Sequence, residues 1–147
     1  MIVTIVKSGT LYRAKLVSYE YAQMLVEEYP SAKIPISSED SELINMFFDS
    51  ALASLLDFLP QDISVSNEPM QVSITIPDNP LRNTSNNIGI DTGIKDYILN
   101  YILNEWYKLR NPDRCQFHIT AMNKERENIN RRINQRTEPV RRTQHPW

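Results

Sequence analysis

Glycine is scarce in this chain: Gly9, Gly89 and Gly93 are the three among 147 residues. They are too few and too scattered to form a phosphate-cradling loop. No nucleophile elbow is present either. Cys115 is the one cysteine, which rules out an internal disulfide framework and suits a reducing compartment. Apolar runs of bilayer-spanning length are absent, because the longest candidates, within 43–59 and 94–109, are interrupted by Asn, Asp and Glu. The opening Met1-Ile2-Val3-Thr4-Ile5-Val6-Lys7 lacks a basic leader and a cleavage motif, so secretion is not expected. No internal repeat occurs at a useful period.

What is present points to one domain with a real core. Hydrophobic residues make up 41% of the chain, too many for wholesale disorder. The net charge of −2 hides an asymmetry. Residues 1–107 hold 6 Lys/Arg against 14 Asp/Glu, a net −8, whereas residues 108–147 hold 10 against 4, a net +6. An acidic body with a basic C-terminal arm suits head-to-tail contact between copies, or docking of the arm on an acidic partner. A solvated basic helix end accounts for the charge equally well.

The densest apolar stretch runs from Ile94 to Leu109. Ile94, Ile98, Tyr101, Ile102, Trp106 and Leu109 form one broad stripe, and Tyr97, Leu99, Leu103 and Tyr107 widen it around the circumference. A helix of that kind needs neighbours on several sides, so it is expected at the centre of the domain. Upstream, residues 2–7 read as a short strand. Helical spacing begins at Ser18, a candidate N-cap, after punctuation by Gly9 and Thr10; Pro30 and Pro35 end that helix. Ser37 with Asp40 three residues on opens a second core helix, which carries Leu43, Ile44, Phe47, Ala51, Leu55, Phe58 and Leu59 and closes at Pro60. Met70 to Ile76 alternates as a half-buried strand that pairs with the N-terminal strand or another chain. Asp78 to Gly89 reads as a polar loop that is mobile or ordered only on assembly. Asp91 or Thr92 caps the central helix. Asn111-Pro112-Asp113 ends it and starts the last one. There Cys115, Ile119, Met122, Arg126, Ile129 and Ile133 form a narrow stripe suited to one neighbour. The expected fold is therefore mainly α: a bundle of about four helices (18–29, 38–59, 92–110, 112–136) with a small strand pair (2–7, 70–76). Residues 1–136 make the domain, and 137–147 an extended C-terminal arm.

Candidate chemistry is thin. Cys115 and His118 supply half a metal site at most, with His145 as the other histidine, and a structural zinc needs about four ligands. A buried thiol and a helix-surface histidine explain the pair. Glu39, Asp40 and Glu42 lie at a helix start, where capping and the dipole account for them. No enzyme, metal or cofactor is expected. Arg131, Arg132, Arg136, Arg141 and Arg142 could contact phosphates, with Trp147 available to stack. Against nucleic-acid binding stands the acidic body and an isoelectric point of about 5.7. Trp147, closing an arm, is read as an anchor for a partner's pocket, where Trp and Arg are enriched.

The order of elements carries a resemblance. A short strand and a Tyr-containing helix come first, then an acidic helix start running into Phe47-Phe48-Asp49-Ser50-Ala51. An alternating strand, Tyr-Ile-Leu-Asn-Glu-Trp-Tyr-Lys (101–108 at its core) and a basic helix ending in Glu138-Pro139-Val140-Arg141-Arg142 follow. This resembles small virion proteins of tailed phages infecting Bacteroidales, the crAss-like phages included, and head–tail connector (adaptor or head-completion) proteins more broadly. The resemblance implies a non-enzymatic ring subunit, in twelve copies, stacked beneath the portal protein around the DNA channel at the virion's head–tail junction and assembled in the host cytoplasm. It implies that Arg136, Pro139, Arg141, Arg142 and Trp147 form an arm docking on the portal or a neighbouring tail or ring protein. DNA would pass an acidic lining without sequence-specific binding. The alternative is a small nucleic-acid-binding protein using the basic helix and arm. No membrane is involved in either.

Overall fold

The N-terminal segment turns Val3 and Ile5 inward and leaves Ile2, Thr4 and Val6 exposed, the period of a half-buried strand, β1 (Ile2–Val6). It passes without a linking residue into helix α1 (Lys7–Leu25). A 3-10 turn (Ser38–Asp40) leads into α2 (Ser41–Phe58); then come β2 (Ser64–Asn67), β3 (Gln71–Thr75), a second 3-10 turn (Thr84–Asn86), α3 (Asn87–Tyr107) and α4 (Pro112–Asn134). The computed structural model describes residues 1–25, 35–78 and 84–134. Among the described residues the fold is mainly α, with four helices and one antiparallel sheet of strand order β1-β3-β2.

α3 is the centre. Ile90, Ile94, Ile98, Ile102, Trp106 and Tyr107 are fully buried, and α1, α2 and α4 all pack against this one helix. Nearly all of its circumference is covered, as the sequence led us to expect. α4 approaches most closely at Gly93, where an added Cβ would lie 3.0 Å from Ile129 Cγ1 and 3.3 Å from Glu125 Oε2. Gly93→Leu should therefore cost about 1–3 kcal/mol through overpacking, measured by urea unfolding. Gly89→Ala should cost less. The nearest atoms to its new Cβ, from 2.6 Å, belong to the Arg132 guanidinium, the far end of a flexible side chain.

The expected pairing of 2–7 with 70–76 is present, with Ile2 opposite Thr75 and Val6 opposite Gln71. The sheet has a third strand that the sequence did not announce. β2, Ser-Val-Ser-Asn, adds to the far edge of β3, with Ser64 opposite Thr75. It forms by satisfying backbone groups on β3, not by its own apolar content. The Ser37–Asp40 spacing works as expected, since the Ser37 N–H donates to Asp40 Oδ2 at 2.9 Å, but it does so on the 3-10 turn ahead of α2.

Several boundaries move. α1 starts at Lys7, eleven residues before Ser18, because Gly9 and Thr10 are accommodated in its first turn once Leu11, Ala14 and Val17 have a core to face. Ser18 caps nothing on its own helix. Its buried hydroxyl donates to Lys15 O and accepts the Ile36 N–H at 2.9 Å, fastening the chain that returns to the core. The expected helix end at 29 lies outside the described residues. α3 begins at Asn87, so much of the expected 78–89 loop is 3-10 turn and helix. Leu109 does not belong to the central stripe: it sits in the turn after α3 and is 92% exposed. The Asn111-Pro112 break holds, with Pro112 as the first residue of α4.

Candidate interaction surfaces

The chemistry-bearing side chains of α4 face inward. His118 is 1% exposed and stacks on Tyr107, ring centroids 5.4 Å apart. This overturns its expected surface position. α4 is rotated so that His118, not Ile119, meets α3, where Asn100 supplies a partner at 2.9 Å. Asn100 Nδ2 already donates to Asp96 O, so Oδ1 is left to accept and Nδ1 of His118 carries the proton. Nε2 is then a bare acceptor, buried, with no hydrogen-bond partner among the described residues. Burial, and secondarily the Arg114 charge, push this imidazole down to about 4. It is neutral at physiological pH. Cys115 is buried, as expected, and its thiol donates to Asn104 O at 3.4 Å. Burial raises that thiol above its ordinary value, away from the thiolate a nucleophile or metal ligand requires. Among the described residues no group of three or more His, Cys, Asp or Glu could hold a metal ion. This seam joins two helices.

The basic end of α4 divides. Arg132 is half-buried and its Nη1 donates to Gly89 O at 3.0 Å, so the guanidinium ties α4 to the first turn of α3. Arg131 is exposed, its Nη2 reaching Asn128 Oδ1 at 3.3 Å. Both stand in the last turn, where positive charge offsets the helix dipole. Arg126, expected on the packing stripe, is exposed and lies over the Phe58 ring at 5.2 Å. Arg136, Pro139, Arg141, Arg142 and Trp147 lie outside the described residues, as does the expected arm 137–147.

A different surface stands out on α1. Tyr12 is 62% exposed, Leu16 43% and Tyr19 57%. Their four-then-three spacing makes one apolar face, opposite the buried face of Ala14 and Ser18. At its N-terminal end this face meets an open groove of about 400 Å³ between β1 and α1. Thr4, Ile5 and Val6 line one wall, Gly9, Thr10, Tyr12 and Arg13 the other, and Lys95 of α3 reaches in. Arg13 pairs with Asp96 at 2.9 Å and Lys95 with Asp91 at 2.7 Å, both pairs partly solvent-exposed.

No family model, curated protein or solved structure matches this chain. No helix among the described residues is long and apolar enough to cross a membrane. The α1 face escaped the sequence reading for an identifiable reason. Treating Gly9-Thr10 as a break removed Tyr12 and Leu16 from the helix that displays them. Two interleaved stripes over 11–21, Leu11-Ala14-Ser18-Tyr21 inward and Tyr12-Leu16-Tyr19 outward, were the available signal.

Proposed function

We propose that this protein is a structural, non-enzymatic subunit of a multi-copy assembly, and specifically of a head–tail connector ring in a tailed phage, joining portal to tail around the DNA channel. The observation that carries the assembly reading is the exposed Tyr12-Leu16-Tyr19 face of α1. An aromatic and aliphatic stripe of this kind on a well-packed domain marks an interaction site. The opposed charges of body and C-terminal segment support head-to-tail contact, and a heterologous contact repeated by rotation closes a ring. The order of elements, resembling connector proteins, supplies the finer part: twelve copies at the virion's head–tail junction, with the arm residues Arg136 to Trp147 docked on the portal or the next ring.

The test is light scattering and negative-stain imaging of the purified protein, alone and mixed with its portal protein. Rings, or an oligomer growing with concentration, are expected. Leu16→Glu should reduce the oligomer to folded monomer, since residue 16 is half in solvent and contributes little to the core. A particle that stays monomeric and ignores portal would overturn the reading. So would tight nucleic-acid binding that falls steeply with salt, the signature of phosphate contact.

A further inference from the structure

The ladder between β1 and β3 fixes which backbone groups of β1 remain open. Met1 exchanges both hydrogen bonds with Ile76, and the Lys7 N–H donates to Met70 O at 3.0 Å. In an antiparallel pair the bonded positions alternate. With Met1 and Lys7 facing β3, Val3 and Ile5 do so as well, in register with Ile74 and Val72. Ile2, Thr4 and Val6 therefore aim their N–H groups, and Ile2 and Thr4 their carbonyls, away from β3. β1 is an edge strand, as the order β1-β3-β2 requires. It has none of the usual devices that discourage pairing: Ile-Val-Thr-Ile-Val holds no charge and no proline.

That edge does not face open solvent on a flat wall. Its C-terminal part, Thr4 to Val6, forms one side of the groove whose opposite side is α1, with Arg13 and Lys95 as the charged residues of the lining and no carboxylate among them. We propose that this groove binds an extended acidic peptide segment of another protein, which adds to β1 as a fourth strand. The peptide backbone meets the open groups of Ile2, Thr4 and Val6, and its carboxylates meet Arg13 and Lys95. Asp96 and Asp91 now hold those two cations in partly exposed pairs, each worth little, so an incoming carboxylate must share or displace them. An edge strand beside a helix is a recurring means of reading a peptide, with backbone bonds giving affinity and the wall side chains giving selectivity. A monomer carries the same groove, though Tyr12 belongs both to its wall and to the exposed face of α1.

The test titrates the full chain against a fluorescein-labelled peptide of alternating threonine and valine ending in two aspartates. Two controls accompany it: the same peptide N-methylated at every residue, so that neither of its strand edges can donate, and one ending in two lysines. Fluorescence anisotropy should report saturable binding of the first, with the Ile2, Thr4 and Val6 amides gaining protection from hydrogen exchange. N-methylation should weaken binding by about tenfold or more, the equivalent of one or two lost hydrogen bonds. Thr4→Pro should do the same while keeping the circular dichroism spectrum, because residue 4 gives no ladder bond to β3 and edge strands tolerate proline. The Arg13→Ala/Lys95→Ala double variant should lose the preference for aspartate over lysine. Equal binding of the N-methylated peptide, which needs no variant, would overturn the proposal. So would no binding of the aspartate peptide, or self-association of the chain that Thr4→Pro abolishes, which would make a second copy the occupant.

Discussion

Trp106→Ala is expected to remove about 3–5 kcal/mol of stability, the range for truncating a buried aromatic ring. Trp106 is fully buried on the helix against which the other three pack, so collapse around the lost indole would have to move several elements together. One face of the ring is also in use. The Arg110 guanidinium lies 3.5 Å from the ring centroid, and its Nη1 donates to Trp106 O at 2.9 Å, closing the last turn of α3. Small domains hold only about 5–15 kcal/mol in total, so this one substitution should bring the protein close to unfolding at physiological temperature. Arg110→Ala should cost about 1 kcal/mol or less, because the cation–π contact is lost at a partly exposed site while the ring stays buried. Urea unfolding with an unchanged slope separates the two cases. A Trp106→Ala loss no larger than that of Arg110→Ala would place the indole outside the core.

Acidification should destabilise the protein through His118. Its folded value, about 4, lies below the ordinary 6.5, so folding favours the neutral ring. The stabilisation is fully present above about 6.5 and is lost progressively as pH falls towards 4. The shift corresponds to about 3 kcal/mol, which is the expected difference between pH 7 and pH 4. Carboxylates titrate over part of the same window, so the comparison must be with His118→Gln, which keeps a donor for Asn100 and cannot ionise. Wild type should lose about 3 kcal/mol more than the variant between the two pH values, followed by chemical denaturation at each. Parallel losses in the two proteins would mean that the imidazole is hydrated in the folded state. The geometry gives the reason for the expected sign. A proton on Nε2 would find no acceptor among the described residues, with the Arg114 charge nearby.

How much of this was legible in the sequence depends on where each element gets its stability. α2 and α3 carry their own instructions. The apolar spacing of Ile44, Ala51, Leu55, Ile94, Ile98 and Ile102 marks helices and names the buried face before any neighbour is known. β2 carries almost none, with Val65 as its apolar residue, and exists because β3 has a second edge to satisfy. His118 lies between these cases. A stripe through Cys115, Ile119, Met122 and Ile129 is a fair description of α4, yet the helix sits about one residue further round, leaving Ile119 37% exposed. That rotation brings His118 to the Asn100 amide on α3, a pairing between two helices that neither displays alone. Arg132 adds a contact of the same kind: its half-buried guanidinium donates to Gly89 O, a link between two helices that its charge alone does not display.

The junction of β1 and α1 has a mechanical consequence. With no residue between Val6 and Lys7, strand and helix behave as a single crank. The strand is keyed to β3 by register, and each helical residue advances the direction of a side chain by about 100°. The azimuth of the Tyr12-Leu16-Tyr19 face is therefore counted out from the sheet, residue by residue. One inserted residue after Val6 would offset helix from strand by about 100°, setting the register of β1 against the core packing of Ala14 and Ser18. The spacing between Ile5 and Tyr12 thus acts as a phase setting, and a strand that docks on β1 grips the handle that aims α1.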